Sequence, residues 1–128
     1  MLQTRRSWLR ASFGAVLAFA TWIALRPITA EEWFSGQDKL LHFAEYASFY
    51  LWGGASFPDA RWRLPAALLA YGVAIELLQA LTPYRTMSFA DVVANALGLV
   101  LGAVLLRVVR RRWPEWWLVG QRSESRCR

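Results

Sequence analysis

The stretch FADVVANALGLVLGAVLL at residues 89–106 decides the fold, because it is apolar, contains no Lys or Arg, and runs directly into the basic sequence RVVRRR. A helix of about 20 such residues crosses roughly 30 Å of hydrocarbon. Polar residues and then glycines share one helical stripe: Ser88, Asp91, Asn95, Gly98 and Gly102. The stretch therefore predicts a membrane-spanning helix that is polar at its start and packs closely against a neighbour through its glycines.

Three further apolar stretches precede it, at residues 8–25, 40–57 and 64–82. Turn-forming pairs separate the four stretches, at Arg26-Pro27, Pro58-Asp59 and Thr82-Pro83. Because these connections are short, neighbouring helices should run antiparallel. We predict a single all-α membrane domain over residues 1–128, with four transmembrane helices in an antiparallel bundle and a basic cytoplasmic tail at 107–128.

The composition favours a bilayer as the solvent of this bundle. The 128 residues are 56% hydrophobic, which is more apolar surface than one small water-soluble core could bury. The formal net charge is +6, but the basic residues cluster between apolar stretches and do not spread along a polar chain, so we expect no nucleic-acid partner. A single cysteine excludes an intramolecular disulfide framework and a CxxC motif.

The distribution of Lys and Arg predicts the direction of each helix, since cytoplasmic flanks retain basic residues during insertion. With the N-terminus inside, twelve of the fifteen lie on inner flanks, and the outer loops hold only Arg26, Lys39 and Arg85. We therefore expect a multi-pass protein of the cytoplasmic (inner) membrane with both termini inside. Arg5-Arg6 resembles a twin-arginine export signal, but the poor cleavage site at residues 28–30 and the three further spans favour a retained helix.

Polar residues of the other stretches converge on the outer end in this topology. They are Lys39, His42 and Tyr46 on one face of the second stretch, Glu76 and Gln79 in the third, and Arg85 in the loop that follows. Ionisable groups inside a membrane are costly and are functional or paired by default. In one interpretation these residues only hydrogen-bond and ion-pair with one another and so hold the helices together. In the other they form a functional site, because an imidazole, two carboxylates and two cations are more groups than such a structural contact needs.

The polar motifs occur in a defined order along the chain. They are DKLLHFxxY at 38–46, ExxQ at 76–79, PxR at 83–85 and SxxDxxxNxxGxxxG at 88–102. This set resembles the VanZ-like membrane protein family over roughly residues 36–106, although Tyr84 stands where many members have glycine. The resemblance implies association with the cell envelope and, because the family is named after a protein linked to teicoplanin tolerance, a possible effect on glycopeptide antibiotic tolerance. It implies no known reaction.

The leading hypothesis is an outer polar pocket that binds an anionic lipid headgroup or a lipid-linked cell-wall precursor. Two cations, Lys39 and Arg85, would supply charge complementarity. The expected ligand-binding residues are Lys39, Tyr46, Gln79, Arg85, Ser88 and Asn95. Gly98 and Gly102 are assigned to helix packing.

Two alternatives stay open. One is a membrane-embedded hydrolase or transferase in which His42 acts as acid or base with Glu76 or Asp91. A variant adds a metal ion on these residues, but one histidine with oxygen ligands specifies no particular ion, and we assign no metal or cofactor. The other alternative is a structural partner of another membrane protein.

The topology predicts that Cys127 is cytoplasmic. A membrane-impermeant maleimide should leave Cys127 unlabelled in intact cells and label it after permeabilisation. Labelling in intact cells would show that the C-terminus is outside.

Overall fold

The computed structural model describes residues 2–27, 35–85 and 87–113, with side chains described from Arg6 onward. Four α-helices occupy most of these ranges, and no strand occurs within them: α1 is Leu2–Leu25, α2 is Gln37–Ser56, α3 is Arg63–Ala80 and α4 is Phe89–Arg112. The prediction of an all-α chain with four helices is confirmed. The tail at 114–128, including Cys127, and the cleavage-site residues at 28–30 lie outside the described residues.

Three of the described helices are long and apolar enough to cross a membrane. They comprise Arg6–Leu25 of α1, all of α3 and all of α4. Helix α2 has 20 residues, but it carries Asp38, Lys39 and Glu45 as well as His42, which lower its mean hydropathy. The chain therefore has the helices of a membrane protein, and the fourth crossing, by α2, stays a prediction.

Helices α2 and α4 form the most extensive contact of the bundle and run parallel to each other. The backbone of α4 approaches α2 at two glycines. A Cβ added to Gly98 would collide with the carbonyl oxygen of Phe43, and one added to Gly102 would lie 2.7 Å from the carbonyl oxygen of Ala47. Helices this close leave no room for a side chain between them, which agrees with the packing role predicted for both glycines.

The core lies between α1, α2, α3 and α4 and is rich in aromatic rings. Its buried members are Phe13, Tyr46, Phe49, Leu64, Leu68 and Leu99. The ring of Phe49 lies 5.4 Å from that of Tyr46 and 6.3 Å from that of Tyr71, which links α2 to α3. Such tilted and edge-on ring pairs add directional attraction to the apolar contact.

Two arginines bind the C-terminal end of α2. Arg10 of α1 donates to the carbonyl oxygen of Ser56 at 3.3 Å, and Arg110 of α4 donates to that of Gly54 at 3.2 Å. The last carbonyls of a helix lack partners within the helix and carry its negative dipole end, so cationic donors suit them. The basic residues of this end therefore have a structural role in addition to the topogenic one predicted from the sequence.

Large apolar side chains cover the outside of the bundle. Trp8, Phe19 and Trp22 of α1 are exposed, as are Leu97 and Val100 of α4. An apolar surface of this extent would drive aggregation in water. It fits lipid contact, because hydrocarbon solvates these side chains at no cost.

We predict that Gly98→Ala destabilises the bundle by about 1–3 kcal/mol, the usual cost of forcing an extra methyl group into a packed interface. Thermal unfolding of the full chain in detergent measures this. The matched control is Gly14→Ala, because a Cβ at Gly14 meets nothing within 4 Å. Gly14→Ala should leave stability unchanged or raise it, and equal losses in the two variants would contradict close α2–α4 packing.

Candidate functional site

The polar residues of three helices meet at the end of the bundle where α2 and α4 begin. We call His42 of α2, Glu76 of α3, and Asp91 and Asn95 of α4 the polar cluster. Asp91 falls in the first turn of α4, and His42 lies near the start of α2. Because α2 and α4 run parallel with their backbones in contact, these early residues reach the same level, while antiparallel α3 contributes a residue from its final turns.

His42 and Lys39 both approach Asp91. The Nε2 atom of His42 lies 3.9 Å from Oδ2 of Asp91, and the Nζ atom of Lys39 lies 3.6 Å from Oδ1. Both distances exceed those of a hydrogen bond, so the contacts are electrostatic. Lys39 makes its short contact, 2.9 Å, with the carboxylate of Asp38.

The Asp38–Lys39 pair precedes the apolar stretch at 40–57 and faces solvent. Its hydrogen bond lowers the pKa of the Asp38 carboxyl and raises the pKa of the Lys39 ammonium. Each shift favours the charged form of its group. Lys39 therefore carries a positive charge at the rim of the polar cluster at neutral pH.

Glu76 is the most deeply buried ionisable group of the described residues. It is 1% exposed, and its Oε2 atom accepts a hydrogen bond of 3.1 Å from the backbone N–H of Ser88. Ser88 is the residue that precedes α4, so this carboxylate sits at the positive end of the helix dipole. Ser88 thus contributes its backbone N–H to the site.

Four buried polar atoms of the polar cluster have no hydrogen-bond partner in the described part of the chain. They are Nδ1 of His42, Oε1 of Glu76, Oδ1 of Asp91 and Oδ1 of Asn95. An unmade hydrogen bond of a buried polar group costs about 1–3 kcal/mol, and more for a charged one. Residues that served only to hold helices together would hydrogen-bond to one another. The unpartnered atoms therefore favour a binding site over a purely structural contact between helices.

A small cavity adjoins three of these four residues, His42, Glu76 and Asn95. Its volume is about 20 Å³, and His42, Glu45, Tyr46, Gly72, Glu76 and Asn95 contribute to its wall. One water molecule or one ion fits a space of that size. A lipid headgroup does not, so a headgroup could be bound only at the rim.

Gly72 of α3 lets Tyr46 and Asn95 pack over the bare helix backbone. A Cβ at this position would lie 2.7 Å from the hydroxyl oxygen of Tyr46 and 2.9 Å from Nδ2 of Asn95. Gly72 was not among the site residues predicted from the sequence. It lies one turn before Glu76 on the same face of α3, and this spacing could have indicated its position beside the site.

Gln79 does not join the polar cluster. Its Nε2 atom donates to the carbonyl oxygen of Ala24 at 2.9 Å, and the hydroxyl of Tyr84 donates to that of Leu25 at 2.9 Å. Both acceptors belong to the last turn of α1, so these two side chains cap that helix. Tyr84, which departs from the family pattern, thereby ties the α3–α4 loop to α1.

Arg85 lies in the loop between α3 and α4 and is half-buried. It forms no ion pair with another residue of 2–27, 35–85 or 87–113. The structure therefore brings His42, Tyr46, Glu76, Asp91 and Asn95 together, places Lys39 at their rim, and assigns Gln79 to another contact. Their predicted roles in binding or catalysis stay predictions.

Lipid-facing helices around a buried polar cluster define a class, the helical integral membrane proteins. A family model described as VanZ/LLP1 matches residues 3–110. The match covers most of the chain, so the chain belongs to the VanZ/LLP1 family, and the resemblance read from the spaced motifs is confirmed. No curated protein matches the chain. No solved structure matches it.

We predict that Gln79→Leu lowers the stability of the chain by about 1 kcal/mol, the usual net value of one hydrogen bond. Thermal unfolding in detergent measures this, with Leu81→Ala as control because Leu81 is 82% exposed. If Gln79 serves only to cap α1, the substitution Gln79→Leu should also leave lipid binding intact. Loss of lipid binding at unchanged stability would instead support the ligand-binding role predicted from the sequence.

Proposed function

We propose that all four helices cross the cytoplasmic (inner) membrane, with both termini inside and the polar cluster toward the outer surface. The basic residues support this direction, since Arg10 and Arg110 lie at the opposite end from the polar cluster. Among the four described helices, α2 alone is not counted as a membrane span by its hydropathy, but it contacts each of the other three helices. That central position shields His42 and Glu45 from lipid, which lowers the free-energy cost of placing α2 across the membrane.

We further propose that the outer end binds the anionic headgroup of an envelope lipid or of a lipid-linked cell-wall precursor. The observation that carries this proposal is Arg85, a half-buried arginine that takes part in none of the ion pairs formed among the described residues. A guanidinium presents paired donors that match a phosphate or carboxylate. Lys39, 46% exposed in its side chain, adds a second cation at the same end.

Exposed apolar side chains lie close in sequence to these two cations. Leu40 and Leu41 at the start of α2, Leu81 after α3, and Met87 and Phe89 before and at the start of α4 are all exposed. A headgroup held at the rim would place its acyl chains against these residues. A ligand of this kind, if it were a cell-wall precursor, would connect the chain to glycopeptide tolerance, because sequestering the precursor alters its availability.

A second candidate function is a hydrolase or transferase acting on the same lipid. The His42–Asp91 approach at 3.9 Å favours it, since a carboxylate beside an imidazole orients it as an acid or base. Glu76 lies close enough to share that role. No serine or cysteine belongs to the polar cluster, so His42 would act on water or on a substrate hydroxyl.

We predict that Arg85→Ala and Lys39→Ala each reduce lipid binding about fivefold, since one cation at an anionic surface contributes about 1 kcal/mol. Mass spectrometry of lipids that co-purify with the full chain identifies and quantifies the ligand. Arg61→Ala is the matched control, because Arg61 is an exposed arginine at the other end, stacked on Trp62. It should retain the wild-type lipids.

The same preparations separate the remaining functions. If neither variant changes the bound lipids or the sensitivity of cells to envelope-directed drugs, headgroup binding is wrong and a structural partnership is favoured. Enzymatic activity would appear as conversion of the bound lipid by wild type, with a pH profile that disappears in His42→Ala. Unconverted lipid in wild type supports binding alone.

A further inference from the structure

We infer that His42, Glu76 and Asp91 bind one divalent transition-metal ion. Each residue offers one ligand atom, and the three atoms lie within 4.8 Å of one another although they come from three different helices. The inference stands independently of lipid binding, since it rests on buried atoms beneath the rim and not on Lys39 or Arg85.

The unpartnered atoms of the polar cluster point to a cation. Glu76 and Asn95 are each 1% exposed, each has a side-chain oxygen without a hydrogen-bond partner in the described part of the chain, and both residues line the same small cavity. With Oδ1 of Asp91, three oxygens need partners, and all three accept hydrogen bonds when the carboxylates are ionised. One water molecule in the cavity lined by Glu76 and Asn95 has only two hydrogens to donate, and Asp91 does not line that cavity. A cation held between the carboxyl groups of Glu76 and Asp91 would satisfy an oxygen of each.

Charge supports the same conclusion. Glu76 and Asp91 place two buried carboxyl groups beside each other, although they belong to different helices. Lys39 lies at the rim, 3.6 Å from Asp91 and hydrogen-bonded to Asp38, and among the described residues it forms no ion pair with Glu76. A divalent ion would neutralise both carboxylates at the place where they meet.

The spacing fits a small ion after a slight contraction. Two ligands on opposite sides of a first-row metal ion lie roughly 4.0–4.4 Å apart, and two ligands of a tetrahedral ion roughly 3.3–3.6 Å apart, since each bond is about 2.0–2.2 Å. The three ligand atoms, within 4.8 Å of one another, need to move inward by less than about 1 Å, which side-chain torsions allow. Asn95 is placed to supply a fourth ligand or to hold a coordinated water.

The ligand types select the class of ion. An imidazole nitrogen is a preferred ligand of zinc, iron and nickel, and carboxylates suit manganese as well. Calcium and magnesium prefer sites made of oxygen alone. The polar cluster therefore fits Zn²⁺ or Mn²⁺ better than Ca²⁺ or Mg²⁺.

The test measures the metal content and metal affinity of the full chain in detergent, without lipid added. The chain carries a tag without histidine and the substitution Cys127→Ser, so that neither the tag nor the thiol binds metal. Elemental analysis follows purification without chelator. The protein is then stripped with a chelator and titrated calorimetrically with MnCl₂ or ZnCl₂.

We expect one ion per chain and an affinity that falls at least about tenfold in Glu76→Gln and in Asp91→Asn, as loss of a ligand or of its support does in other metal sites. Asp38→Asn is the matched control. It removes a carboxylate near His42 that is not among the ligands, and it should bind metal like wild type.

Electron paramagnetic resonance of Mn²⁺ bound to wild type gives a second readout. The wild-type spectrum is informative even if the variants fail to fold. Coordination by His42 produces a nitrogen coupling, which His42→Gln should abolish. The inference is overturned if wild type neither retains nor binds either ion, if bound Mn²⁺ shows no nitrogen coupling, or if affinity is indifferent to all three substitutions. Lipid binding could survive any of these results, so the two proposals fail separately.

Discussion

The close contact of the α2 and α4 backbones is the constraint on which the rest of the structure depends. Gly98 and Gly102 permit it because neither has a side chain to hold the helices apart. Once the two parallel helices touch, their first turns are forced to the same level. The residues that begin α2 and α4 are polar, so the packing of one face determines where the chemistry of the bundle lies.

The polar cluster imposes a cost that ordinary packing would avoid. Buried carboxylates and an amide oxygen without partners destabilise a fold unless something compensates them. Part of the compensation is local, because the N-terminus of α4 directs the N–H of Ser88 at Glu76. The cation that we infer for this place would supply the rest and would connect the energetics of the fold to its function.

Local periodicity accounts for the part of the site that the sequence could predict. Asp91, Asn95, Gly98 and Gly102 share a stripe within one helix, and the spacing of Lys39, His42 and Tyr46 is equally local. How each helix is rotated against the others is not encoded in such spacing. For that reason the sequence placed Gln79 in the site, whereas it binds the end of α1.

The contacts at the helix ends were also beyond sequence reasoning. Basic-residue counts explain why Arg10 and Arg110 flank the membrane, but a count carries no geometry, and it could not show that both bind α2. Likewise, the sequence predicted four membrane-spanning helices, and three of the described helices are apolar enough to cross a membrane. A stretch-by-stretch count of apolar residues does not show that the suitability of α2 depends on its neighbours.

The order of synthesis gives the α2–α4 contact a further consequence. Helix α2 is the one of the four described helices that is not apolar enough to be counted as a membrane span, yet its principal partner and the arginine that binds Gly54 both belong to α4, which is synthesised after it. Until Arg110 emerges, α2 has neither. Between the synthesis of α2 and that of α4, the polar face of α2 therefore lacks the helix against which it packs in the finished bundle.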